Sequence, residues 1–195
     1  MGGGEVEQEI PTEGTERSMA PARAGEARPV LVGVASMNAA PLLRRIAGAL
    51  ADCRLEAVLI GNAAAALQGA PVTTMDFDFL FRTSPTNLRK LKAFADRLHA
   101  IILRPYYPAS SLFRVVDDDS GLQVDFMTTI HGVRSFASLR SRAQRLELGG
   151  AELLVASLDD VIRSKRAAGR PRDKAVLPIL EATRAEAQAP RKPRR

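Results

Sequence analysis

Apolar positions recur along this chain with two periods, one helical and one strand-like, and they divide it into short elements. Leu42, Leu43, Ile46 and Leu50 fall on one side of a helix expected to run from a cap at Asn38 to Asp52. Residues 55–60 (Leu-Glu-Ala-Val-Leu-Ile) read as a buried strand ended by Gly61-Asn62. Residues 63–68 read as a short helix stopped by Gly69 and Pro71. The period then becomes two: residues 76–81 run Asp-Phe-Asp-Phe-Leu-Phe in strict alternation. Ser84 caps, and Pro85 opens, a helix to about His99. Ile101–Leu103 is a weak strand. Residues 112–116 and Leu122–Met127 are strands joined by the turn-forming run Asp117-Asp118-Asp119-Ser120-Gly121. Residues 145–148 and 152–155 form a hairpin about Gly149-Gly150. Ser157 caps a helix over Leu158–Ala168, with Asp160 completing a capping box, and a last helix spans 172–184. Helices and strands interleave without an internal repeat, which predicts an α+β fold: a mixed sheet flanked by helices and closed by a C-terminal helical segment.

Composition sets the limits of this domain. Residues 1–28 are rich in Gly, Glu, Pro, Ala and Arg and are expected to be a disordered tail. The folded domain is expected over 29–185, followed by a basic tail over 186–195 that ends Arg191-Lys192-Pro193-Arg194-Arg195. Hydrophobic residues make up 46% of the chain but aromatic ones only 5%, with no Trp, so the core must be mostly aliphatic. The formal charge of +6 favours polyanionic partners such as nucleotides or RNA. Cys53 is the single cysteine, which excludes an internal disulfide and suits a reducing cytoplasm. It reads as a small buried hydrophobe rather than a catalytic thiol. The N-terminal stretch lacks the apolar segment of a signal peptide, and no run is long enough to cross a bilayer, so no membrane partner is expected.

The alternating strand carries the most chemistry. Phe77, Phe79 and Phe81 share one face, and Asp76, Asp78 and Leu80 share the other. Two carboxylates at i and i+2 repel unless water or a cation intervenes, and hard oxygen ligands suit Mg²⁺. In the later strand Leu122, Val124 and Phe126 form the apolar face, so Asp125 points the other way and would join Asp76 and Asp78 if the strands were neighbours. Three carboxylates could hold two metal ions, with Asp125 also able to orient or deprotonate a hydroxyl. Alternation of this kind also suits any half-exposed strand, and it is the preceding segment that tips the balance. His99 sits at a helix end, where the dipole favours a cation, while His131 follows the Asp125 strand and is expected near the site. Tyr106-Tyr107, between Pro105 and Pro108, reads first as a loop anchor packed on the core and second as a base-stacking pair.

The run Val58-Leu59-Ile60-Gly61-Asn62-Ala63-Ala64-Ala65-Ala66-Leu67-Gln68-Gly69, followed by Thr74-Met75-Asp76-Phe77-Asp78, resembles the DNA polymerase beta-like nucleotidyltransferase superfamily. Its nearest likeness is to the minimal group related to AbiEii-type toxin nucleotidyltransferases. The segment from Ser157 through Lys165 and Arg170 to Asp173 resembles that group's C-terminal helical motif. Asn62, Gln68 and Val72 depart from the residues common there. The resemblance implies a nucleotidyltransferase-like fold with Asp76, Asp78 and Asp125 as metal-binding and catalytic residues. Gly61, Asn62, Thr74 and Lys165 would lie against the nucleotide, Arg170 and Asp173 would anchor the helix, and Mg²⁺, as one ion or two, would be the cofactor. The implied substrates are a nucleoside triphosphate and a hydroxyl acceptor on tRNA, a protein or a small molecule, and a cognate antitoxin is an implied partner. A module that binds nucleotide or RNA without transferring stays open as the alternative.

Overall fold

A computed structural model describes residues 39–74 and 76–189. The tail expected over 1–28, the cap expected at Asn38 and most of the basic tail lie outside the described residues. The chain runs α1 (Ala39–Cys53), β1 (Ala57–Ile60), α2 (Gly61–Ala66), β2 (Phe77–Phe81), α3 (Pro85–Arg97), β3 (Ile101–Leu103), β4 (Phe113–Asp117) and β5 (Leu122–Met127). It continues through α4 (Phe136–Arg140), β6 (Gln144–Leu148), β7 (Ala151–Val155), α5 (Leu158–Ala168) and α6 (Pro171–Gln188). The strands form one mixed sheet in the order β3-β4-β5-β2-β1-β7-β6. β2 runs parallel to β5, and β1 parallel to β7, while the other neighbours are antiparallel.

The local chemistry explains most boundaries. Ser84 accepts a hydrogen bond from the Asn87 backbone N–H at 3.2 Å, and Pro85 opens α3 where a missing N–H costs nothing. Ser157 does the same for Asp160 at the start of α5, which ends on Gly169 with φ +64°. Asn87 is buried and pins α3 to the sheet by donating to the carbonyls of Glu56 and Arg82 and accepting from the Glu56 N–H.

Three expectations change. α2 begins at Gly61, directly after the strand, rather than at Ala63. α4 was not expected: it has five residues, buries only Leu139, and is held by Ser135 accepting from the Ser138 N–H at 3.1 Å, too little apolar periodicity to see in sequence. α6 starts one residue early and continues to Gln188 through an internal Pro178. That proline and Lys174, whose carbonyl loses its helical partner, are both exposed residues.

The Phe face of β2 fills the core. Phe126 of β5 stacks on Phe79 at a centroid distance of 5.4 Å and meets Phe81 and Phe94 edge-on at 5.7 and 5.3 Å. With only seven Phe and no Trp in the chain, concentrating five rings on β2, β5 and α3 gives an otherwise aliphatic core a specific packing geometry. This packing fixes which face of β2 and β5 carries their carboxylates. No helix among the described residues is long and apolar enough to cross a membrane.

Candidate active site

The strand registers place the chemistry in one row across the sheet. Ile60 of β1 lies opposite Asp78 of β2, Asp78 opposite Asp125 of β5, Asp125 opposite Arg114 of β4, and Arg114 opposite Leu103 of β3. Directly paired residues share a face, so Asp78, Asp125 and Arg114 project to the same side. The expected meeting of Asp78 with Asp125 is therefore realised through parallel pairing of β2 and β5. Asp76 lies one residue before β2 and is exposed, so it joins the pair from the strand's entry rather than from within the ladder.

Asp78 is the most perturbed of these groups. Burial pushes its carboxyl up to about 6, and the carboxylates of Asp125 and then Asp76 add to the rise, against an opposing pull from Lys165 and Arg172. Gly61 explains how close the chain comes here. A Cβ built at this position, where φ is +69°, would stand 2.8 Å from Oδ2 of Asp78. Only glycine lets β1 turn into α2 against that carboxylate. The Asn62 side chain carries a buried Oδ1 with no hydrogen-bond partner among the described residues.

Asp125 is buried and already engaged. Arg114 donates to it twice, Nε to Oδ1 and Nη2 to Oδ2, both at 2.7 Å. This bidentate bond raises the guanidinium's own affinity for its proton. Thr74 braces the approach to Asp76: its hydroxyl donates to the Asp76 carbonyl at 3.0 Å and accepts from the Asp76 N–H at 3.2 Å. Lys165, on α5, lies 3.4 Å from Asp173 of α6, which also takes Arg170 at 2.6 Å. Arg170 and Asp173 thus anchor the start of α6, as the helical motif implies.

Gly61, Asn62, Thr74, Asp76, Asp78, Asp125 and Lys165 all line a single cavity of about 480 Å³, and His131 lines it too. Gln123 lies on its wall beside Asp125, and sequence reasoning missed Arg114 and Arg172 there. Gln68, which departs from the residue common in the resembling group, has a structural task. It donates to the Ala64 and Ala156 carbonyls and accepts from the Leu158 N–H, tying α2 to the start of α5. Tyr106 and Tyr107 do not anchor their loop on the core; they are 77% and 61% exposed.

The donor set suits a hard cation held by two carboxylates and completed by phosphate oxygens and water. Among the described residues Asp78 has no side-chain hydrogen bond to give up, and a cation would relieve its repulsion from Asp125 and Asp76. Among the described residues no three His, Cys, Asp or Glu side chains converge as a ready-made metal cluster. Arg114 donates to both oxygens of Asp125, while Asp78 still feels the Asp125 charge more strongly than that of Asp76.

Comparison with solved structures fits this architecture. The antibiotic-resistance factor ANT(2'')-Ia aligns over 76% of this chain and 90% of its own, with a TM-score of 0.50 and 15% identity. An antigenic nucleotidyltransferase-like protein from Paracoccidioides brasiliensis aligns over 83% of this chain and 81% of its own, with a TM-score of 0.52 and 16% identity. No family model matches the sequence, and no curated protein matches it. At these identities the likeness defines the fold: the chain has a nucleotidyltransferase-like α+β fold.

Proposed function

We propose that this chain is a nucleotidyltransferase that moves a nucleoside monophosphate from a nucleoside triphosphate to a hydroxyl acceptor. The observation that carries the reading is Asp78: a shielded carboxylate held against Gly61, in register with Asp125 and beside Asp76. Carboxylates are crowded in this way at a cost, and a cation-bound triphosphate is the ligand that removes it.

Asp76 and Asp78 would hold Mg²⁺, which supplies positive charge against the triphosphate when bound. Gly61 and Asn62 would face the phosphates, and the partnerless Oδ1 of Asn62 would accept from a water or hydroxyl there. Thr74 would act one step back, by fixing the backbone of Asp76. Lys165 would lend positive charge from α5. Asp125, held in orientation by Arg114, would align the acceptor hydroxyl and receive its proton. The hydroxyl oxygen bonds to the α-phosphorus, the bridging bond to the β-phosphate breaks, and pyrophosphate leaves with that electron pair. The AbiEii-type group, a cognate antitoxin and a cytoplasmic setting belong to the same proposal and rest on the two motifs that carry the resemblance.

The test uses purified wild type and the Asp76→Ala/Asp78→Ala variant with Mg²⁺, each labelled triphosphate and a total RNA and protein extract. Label on an acceptor, lost in the variant, is the expected result and identifies the acceptor class. Mg²⁺-dependent binding with no transferred label would favour a binding module with the same fold. Failure of the folded wild type to bind any triphosphate would overturn the reading.

A further inference from the structure

Large apolar side chains rarely stand exposed on this fold, and where they do they cluster. Among the described residues the exposed ones are Ile101, Leu103, Tyr106, Tyr107 and Ile179, and the first four belong to β3 and the loop that follows it. That loop, 104–112, joins β3 to β4 at the end where Leu103 pairs with Arg114 and Arg114 with Asp125. It therefore continues from the strand that ends the row holding the carboxylates.

The loop is built rather than slack. The Tyr107 N–H donates to the Arg104 carbonyl at 3.3 Å, and the Ser110 N–H to the Tyr106 carbonyl at 2.9 Å. The hydroxyls of Ser111 and Thr128 meet at 2.6 Å and tie its end to the residue after β5. Arg104 lies 4.0 Å from the Tyr107 ring centroid and 4.8 Å from that of Phe113, a cation–π sandwich. Tyr106 is held at φ +64°, a left-handed conformation that a bulky residue adopts only when its surroundings impose it. Strain of this kind collects at ligand-binding positions, and here it leaves the ring with no core contact to justify it.

We propose that Tyr106 and Tyr107, the latter with Arg104 against its ring, form a stacking platform for an unpaired base of a single-stranded nucleic-acid acceptor. The word acceptor rests on the nucleotidyl-transfer reading; the platform itself does not. Geometry assigns the sides. From Ile60 to Leu103 the row crosses four strand spacings, about 19 Å, with Asp78 and Asp125 in between. Gly61 and Asn62 lie at one end, and the tyrosines at the other, so a triphosphate at the first and an acceptor strand at the second would meet over the carboxylates. Exposed rings backed by guanidinium suit a base and its phosphate, since every base offers a π-face and every linkage a negative charge. The formal charge of +6 adds a general attraction for such a strand.

The chain makes this testable without a label on the protein. It has two tyrosines and no tryptophan, so all of its tyrosine emission comes from Tyr106 and Tyr107. Short single-stranded oligoadenylates, as RNA and as DNA, would be titrated into the full chain while tyrosine emission is read. Each nucleoside triphosphate would be titrated with Mg²⁺ as a separate arm. Saturable quenching by oligonucleotide and not by triphosphate is expected, and the stronger of the RNA and DNA arms names the sugar. In a parallel anisotropy titration with a fluorescein-labelled oligoadenylate, Tyr106→Ala/Tyr107→Ala should bind about tenfold more weakly. Tyr106→Phe/Tyr107→Phe should bind as wild type, because the rings remain. Quenching by triphosphate alone, no quenching at oligonucleotide saturation, or equal affinity of the Ala variant would each overturn the platform. So would failure of the Phe variant to bind. The oligonucleotide titrations contain no triphosphate and read no product, so failed nucleotidyl transfer with intact quenching would leave the platform standing.

Discussion

Asp78 lies at a point where the fold itself works against ionisation. Burial, then Asp125, then Asp76 lift its carboxyl to about 6 from an ordinary value of 3.8. Below about pH 4 the group is protonated whether the chain is folded or not, and it contributes no difference. Between about pH 4 and pH 6 the folded chain keeps a proton that the unfolded chain releases, so the metal-free fold loses stability as pH rises through that window. Asp78→Asn keeps the shape and cannot ionise. It should stabilise the metal-free protein on the order of 2 kcal/mol at neutral pH, with the gain vanishing below about pH 4, as read by urea unfolding across pH. Added Mg²⁺ should raise the stability of wild type and leave Asp78→Asn unmoved; equal stability of the two proteins across the whole pH range would show that the carboxylate is not under this strain. Asp78 and Asp125 were legible in the sequence because alternation assigns a strand's faces without knowledge of its neighbours. Arg114 was not, although 114 and 125 flank the same turn. Its partner depends on the hairpin's exact register, and the run Asp117–Gly121 leaves that register open until Asp117 is seen to pair with Leu122.

α5 and α6 meet at a corner held by one carboxylate. Asp173 is 1% exposed. Burial alone would raise its carboxyl, but the Arg170 hydrogen bond and the charges of Lys165 and Arg170 outweigh that and hold it below the ordinary range. The ion pairs therefore stabilise the fold at neutral pH, and that contribution fades as pH falls through the depressed value. Asp173→Ala would leave Lys165, with a side chain only 13% exposed, without its partner and strip the first turn of α6 of its acid. A loss of about 2–3 kcal/mol in urea unfolding is expected, discounted for the exposed Arg170 arm. An unchanged midpoint would mean that the corner is held by packing alone. The capped helices α3 and α5 were readable to within a residue or two, because Ser84, Pro85, Ser157 and Gly169 are local signals that need no tertiary context. α4 and the extension of α6 were not readable. A five-residue helix has no period to detect, and a proline inside a helix reads as a stop unless it is known to face solvent.

At the scale of the whole chain, charge and site act at different ranges. The formal excess of +6 is not spread evenly: Arg191, Lys192, Arg194 and Arg195 alone contribute four cations at the end of the sequence. Within the domain many arginines are already matched, Arg142 and Arg163 on Asp160, Arg166 on Glu181 and Arg184 on Asp159. Each phosphate that a protein cation neutralises releases a condensed counterion from the strand, and a cation already paired with a carboxylate neutralises less. The terminal cations should therefore govern how strongly a single strand is attracted, and the tyrosine loop how one of its bases is held. Deleting 191–195 should weaken oligonucleotide binding at low salt. It should also lower the slope of log affinity against log salt by as much as about 3, the value for four phosphate contacts to a single strand. Tyrosine quenching at saturation should stay the same, because the rings contribute contact rather than long-range charge. An unchanged salt slope would move the electrostatic contact onto the domain surface. A loss of quenching on deletion would instead make the tail part of the platform, so one titration series separates attraction from recognition.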